Sequence, residues 1–176
     1  MGVNTLPVPA GKALQEQQFT SSGTWTAPAG VTTAQVLIVS GGGGGSGNPG
    51  YGGGICVGGY GGAQYTAQFT VSPSTGYTVT VGAGGAAGGG SGAAGNSSAF
   101  STKTVAGGLG GDFSNVGSNA TQSSFSGQSS YGIGGTAGAN AAAANSGGGG
   151  GGYFVSNTAV TGGAGGSGIV IVRWLG

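Results

Sequence analysis

The chain has 176 residues, of which 49 are glycine, and only 3% are charged. Five formal charges (Lys12, Glu16, Lys103, Asp112, Arg173), a net charge of +1 and no histidine leave no basic patch for phosphates, so nucleic-acid binding is excluded and electrostatic steering of any partner is weak. Histidine-based triads are also excluded, Glu16 and Asp112 are too far apart in sequence for paired-carboxylate chemistry, and Cys56 with two acids is too few ligands for a transition metal. The expectation is therefore no enzyme, no cofactor and no metal.

One cysteine rules out a disulfide within the chain, and Cys56 reads as a small apolar group. The N-terminus has neither the basic region nor the apolar run of a signal peptide, and no stretch reaches 18 apolar residues. The expectation is a protein made in a cytoplasm, with no membrane partner.

Residues 1–17 read as an attachment arm. Pro7 and Pro9 oppose regular structure, and 11–17 suits one or two helical turns. Residues 18–40 read as β-structure, ending in the apolar run Val36-Leu37-Ile38-Val39, which suits a strand covered on both faces. That run empties into Gly41 to Gly45. Residues 63–81 read as a hairpin: Tyr65, Ala67, Phe69 and Val71 alternate with polar residues, Ser72-Pro73-Ser74-Thr75-Gly76 has turn chemistry, and Tyr77, Val79 and Val81 resume the alternation. The following Gly82-Ala83-Gly84-Gly85 nearly mimics a dinucleotide fingerprint, but no helix pattern follows it. Residues 96–160 are low in complexity with isolated aromatics, including Phe113 and Phe125, and Ala139 to Asn145 suits a helical turn or an extended segment. Ile169 to Trp174 reads as a terminal strand.

Glycine runs are commonly linkers. Here they alternate with strongly apolar segments, unlike a disordered chain, and this favours glycine as packing material. An extended left-handed helix has three residues per turn and no internal hydrogen bonds, so its backbone must pair with neighbours. Glycine permits the close lateral approach that this needs. Gly41, Gly44, Gly47, Gly50, Gly53, Gly59 and Gly62 share a period-three phase broken at Cys56, as do Gly132, Gly135 and Gly138, and Gly162, Gly165 and Gly168. The predicted fold is mainly β plus polyglycine/PPII-type extended helices, with a small β-sandwich-like base and packed glycine-rich segments spanning 18–176. Trp25, Phe69, Tyr77 and Trp174 are expected in the core.

The ordered combination Phe19-Thr20-Ser21-Ser22-Gly23-Thr24-Trp25-Thr26-Ala27-Pro28-Ala29-Gly30, then Val36 to Val39 and polyglycine, resembles the glycine-rich domain of bacteriophage tail-fibre and receptor-binding virion proteins. Tyr77 to Gly85 and Gly165 to Trp174 fit the same pattern, so the resemblance covers about 18–175. It implies a virion protein of the tail or surface fibre, made in the host cytoplasm, whose loops between glycine helices touch a bacterial surface glycan or protein. It further implies a homo-oligomer, a trimer by analogy, with residues 1–17 contacting other virion proteins. The alternatives are a purely structural head or tail decoration protein and an ice-binding protein of flat glycine-rich helices. The latter needs a regular three-residue repeat and usually disulfides. Receptor-contact candidates are aromatics that break glycine tracts, with their amide neighbours: Asn48, Tyr51, Tyr60, Tyr131, Tyr153, Phe154 and Asn157.

Overall fold

A computed structural model describes residues 11–114, 123–124 and 134–176. It is mainly β, and no helix occurs among the described residues. The strands are β1 (Leu14–Phe19), β2 (Gly23–Thr26), β3 (Thr33–Val39), β4 (Ile55–Cys56), β5 (Gln64–Thr70), β6 (Gly76–Thr80), β7 (Ser98–Phe100), β8 (Lys103–Val105), β9 (Phe113–Ser114), β10 (Ser123–Ser124) and β11 (Ile169–Leu175). One sheet has the order β1-β11-β3-β5 and a second β2-β6-β7-β8; a small third sheet is β10-β4-β9.

The two larger sheets share one core. Val36 and Ile38 of β3 and Val170 and Val172 of β11 meet Trp25, Val79 and Phe100 of the second sheet, all buried. Trp25 is central, with ring centroids of Trp174, Tyr77 and Phe100 at 5.5, 5.9 and 6.0 Å. Phe69, Tyr77 and Trp174 pack against this core half-buried, as expected from their strand positions. The continuous apolar runs have a cause on the opposite face: Val39, Ile169 and Ile171 form a second cluster with Leu37. β3 alternates at its start and is covered on both faces only near its end.

Two local readings are corrected. The segment 63–81 is not a hairpin. β5 pairs antiparallel with β3 and β6 with β2, so the turn between them crosses from one sheet to the other. Its geometry is pinned from outside: Ser74 N donates to the Ala27 carbonyl (2.8 Å), Ala27 N donates to the Thr75 carbonyl (3.0 Å), and Ser72 N donates to Tyr77 Oη (2.7 Å). Alternation within each strand cannot say which sheet it joins. Residues 14–17, expected in a helical turn of the arm, are extended and begin β1, paired from Leu14↔Leu175 to Phe19↔Val170. Backbone pairing with β11 replaces the weak helical tendency of so short a segment. Of the two readings of Ala139 to Asn145, extended chain, with turns at its ends, is the one formed.

Between the strands the glycine tracts run away from the sandwich and return. Residues 40–47, 82–88, 106–112 and 147–153 run outward; 57–63, 92–96 and 160–168 return. The pass 40–47 is wholly buried and lies at the centre. Its amides donate in rotation to three neighbours: Ser40, Gly43 and Ser46 to Ala63, Tyr60 and Val57; Gly41, Gly44 and Gly47 to Asn96, Ala93 and Gly90; Gly42 and Gly45 to Gly166 and Gly163, all at 2.8–3.0 Å. Its carbonyls accept in the same rotation from three others: Gly41 and Gly44 from Gly108 and Gly111, Gly42 and Gly45 from Gly85 and Gly88, Gly43 and Ser46 from Gly150 and Tyr153. A flat sheet pairs a strand in two directions; this pass is bonded in six. The buried backbone is thereby satisfied without side chains.

Outer passes expose every third residue: Ala83 and Ala86; Tyr60 and Ala63; Ala106, Leu109 and Asp112; Thr161 and Ala164. Apart from Ser40 and Ser46, glycine fills the central pass, and a side chain at its glycines has no room. A Cβ built on Gly43 would overlap the Leu109 carbonyl, and one on Gly44 the Ala86 carbonyl. Two buried serines join the sandwich to the glycine passes. Ser40 Oγ donates to the Val105 carbonyl, and Ser98 Oγ donates to the Val39 carbonyl (2.9 Å) while accepting from Gly82 N (2.9 Å).

Candidate binding face

The pass directions put the connectors 48–56, 89–91, 113–114 and 154–159 together at the end of the glycine bundle remote from the sandwich. Leu14 and Leu175 pair at the opposite extremity of the sandwich. The molecule is therefore polar: the described chain ends lie at one extremity and the connectors at the other.

Asn48 organises this tip. It is fully buried, and its Nδ2 donates to the carbonyls of Tyr51 (2.8 Å) and Val155 (2.7 Å) while Oδ1 accepts from the amides of Gly50 (3.1 Å) and Tyr51 (2.9 Å). Its backbone carbonyl takes Val160 N at 2.8 Å. Every amide hydrogen-bonding direction of that side chain is spent inside the tip, so Asn48 shapes the face rather than presenting to it. Ser46 acts similarly one step inward: its Oγ donates to the Asp112 carbonyl (2.8 Å) and accepts from Val57 N (2.8 Å).

Above this clamp, three aromatics meet. Tyr51 is half exposed and stacks on Phe113, centroids 5.8 Å apart and planes at 21°. Phe154 and Phe113 both close on Gly54: a Cβ there would stand 2.7 Å from Phe113 Cε2 and 2.9 Å from Phe154 Cε2. β4 and β9 hold the pair in place through Ile55↔Ser114 and Cys56↔Phe113. Asn157 is exposed at φ 53°, and its amide donates to the Tyr51 carbonyl (3.0 Å). Ser156 Oγ donates to the Gly52 carbonyl (2.9 Å), tying the two connectors together.

Beside the cluster lies an open groove of about 410 Å³ lined by Asn48, Gly89, Ala139, Tyr153, Ala159, Val160 and Thr161. Among the described residues Tyr153 is its only aromatic wall. Cys56 is buried beneath the tip, and burial pushes its thiol above the ordinary range against a hydrogen bond with Ser46. Among the described residues no three metal-ligating side chains converge, and no helix is long and apolar enough to cross a membrane.

Of the sequence candidates, Tyr51, Tyr153, Phe154 and Asn157 come together at the tip, and Asn48 lies under them. Tyr60 does not join them: it projects from the flank midway along a return pass. Tyr131 lies outside the described residues. Sequence reading passed over Phe113, an isolated aromatic by spacing. Its position directly after Gly110-Gly111-Asp112 is the available signal, because the first bulky residue after a glycine pass falls at a connector. A family model described as a glycine-rich domain matches residues 17–139, more than half of the chain. No curated protein matches.

Proposed function

We propose that this chain, which belongs to the glycine-rich domain family, is a non-enzymatic adhesive component of a bacteriophage virion, a tail-fibre or tail-tip protein that recognises a bacterial surface through its connector face. The finer architecture within this reading is a bundle of polyglycine/PPII-type helices on the β-sandwich. The period-three rotation of hydrogen bonds around 40–47 supports it, since three residues per turn is the repeat of that helix.

The observation that carries the adhesive reading is the polarity of the molecule. Tyr51, Phe113 and Phe154 are gathered at the end farthest from Leu14↔Leu175, on a support whose interior is bonded in every lateral direction. Aromatic rings and connector amides on a preorganised base suit recognition of a glycan or protein at low ordering cost. Within this reading the contact with other virion proteins runs through residues 1–17, of which Leu14 to Gln17 lie in β1.

Co-sedimentation of the labelled protein with a panel of bacterial cells tests the reading. Saturable binding to some strains that Tyr51→Ala and Phe154→Ser reduce at least about tenfold, equivalent to about 1.4 kcal/mol, supports it. Binding unaffected by both substitutions refutes the connector face as the contact. Absence of binding across the panel, with antibody labelling along capsid or tail surfaces in phage particles, supports the structural decoration protein instead.

A further inference from the structure

One flank of the bundle carries a second surface that the tip does not use. Passes 57–63 and 106–112 lie side by side: Val57 N donates to the Asp112 carbonyl (3.2 Å), Tyr60 N to Leu109 (2.9 Å) and Ala63 N to Ala106 (3.1 Å). These three rungs descend from tip to base. Tyr60 is 43% exposed and Leu109 67%, two of the four large apolar side chains exposed among the described residues. Below the last rung the flank continues onto the outer edges of β5 and β8, which end their sheets, with Lys103 Nζ 4.2 Å over the Tyr65 ring.

The charges are arranged around this stripe. Glu16 and Arg173 pair with each other at 2.6 Å on the other side of the sandwich. Asp112 and Lys103 stand at the two ends of the flank, roughly 28–31 Å apart along the chain at about 3.1–3.4 Å per residue. The sequence order along the outer row is Lys103, Ala106, Leu109, Asp112: cation, small, large, anion. That row is complementary to itself when reversed.

We propose that this flank is a two-fold interface with a second, antiparallel copy of the chain. The symmetry axis crosses the bundle between the Ala106 and Leu109 rungs. Leu109 of each copy then sits over Ala106 of the other, Tyr60 over Ala63, and Asp112 faces Lys103 twice. A two-fold contact requires a patch that matches itself, and this row has both the size and the charge alternation to do so. A parallel two-fold copy, its axis running between the two passes, would set Leu109 on Tyr60 and Asp112 on Val57 and leave Lys103 and Asp112 unmatched. The stripe is two passes wide, below the standard interface size of about 800 Å² per partner, so the dimer is a weak one that dissociates on dilution.

Sedimentation velocity across a concentration series, with circular dichroism to confirm folding, tests this on the intact chain. The wild type is expected to pass from monomer to dimer, and Leu109→Asp to remain monomeric at every concentration. Lys103→Glu and Asp112→Lys should each weaken association about tenfold at low salt, and the double variant should restore it. A wild type that stays monomeric, or assembles as a trimer, overturns the proposal. So does a dimer that survives Leu109→Asp, or a folded double variant that associates no better than the single ones. Because the readout is mass, the outcome is independent of whether the tip binds cells.

Discussion

Replacing Gly43 by alanine isolates the close approach on which the glycine passes depend. In an unconstrained setting Gly→Ala stabilises by about 0.4–1 kcal/mol through the unfolded state. At Gly43 the added methyl would overlap the Leu109 carbonyl carbon and oxygen and lie against Gly110 N at 2.8 Å. These are backbone atoms with no rotamer to adopt, so the two passes must separate by roughly an ångström or more to reach ordinary contact. Separation stretches the two bonds that join them, Gly108 N to Gly41 O (2.9 Å) and Gly111 N to Gly44 O (2.8 Å), and strains Tyr60 N to Leu109 O (2.9 Å). Overpacking costs about 1–3 kcal/mol and each buried backbone group left unpaired about 1–3. A net loss of about 3–5 kcal/mol follows, a large part of the stability of an ordinary domain. Gly89→Ala is the control, because a Cβ there meets only ordinary contacts, Thr161 Cγ2 at 3.8 Å and the Val160 carbonyl oxygen at 4.0 Å, so this change is expected to be neutral or stabilising by up to about 1 kcal/mol. Denaturant unfolding of the three proteins reads both signs. If Gly43→Ala lies within about 0.5 kcal/mol of Gly89→Ala, close backbone packing is not what fixes glycine at these positions.

Asn48→Ala removes four hydrogen bonds under the connectors and should cost on the order of 2–4 kcal/mol, with Tyr51–Phe113 stacking lost from the near-ultraviolet circular dichroism while the Trp25 environment persists. Cys56, buried and shifted upward by desolvation, should resist a thiol reagent in the native protein at neutral pH and react fully once denatured; prompt native labelling would contradict its burial. Glu16 is held below the usual carboxylate range by its hydrogen bonds with Gln18 and then Arg173. Its contribution is thus present above the unfolded carboxylate value, about 4.3, and lost as pH falls through the lower folded value. An NMR titration should place the Glu16 midpoint below that of an ordinary glutamate, and Arg173→Gln should move it upward.

The strands were legible because side-chain alternation and apolar runs are local. Val36 to Val39 and Ile169 to Trp174 could hardly be other than strands, and the glycine phases at 41–47 and 162–168 announced a three-residue repeat. Tyr51 and Phe154 could be placed at connectors because a ring cannot take an inward position of a pass where even a methyl overlaps a carbonyl; the same reasoning misplaces Tyr60, which takes an outward position midway along one. Pairing was not legible. The alternation of Tyr65–Val71 and Tyr77–Val81 is the same whether they form a hairpin or cross between sheets, and only the Ala27–Ser74–Thr75 bonds decide. Nor could the sequence separate Asn48 from Asn157, since one side chain is consumed by four partners supplied by distant connectors and the other is exposed.

What the sequence by itself determined is therefore composition and local period: few charges, short apolar strands, and glycine wherever a backbone must come close to another. What only the tertiary structure decided is which backbone comes close to which. Glycine has no side chain to encode a partner, so the six-sided bonding of 40–47, the tip over Asn48 and the Tyr60–Leu109 flank arise from how strands far apart in the chain align the tracts between them.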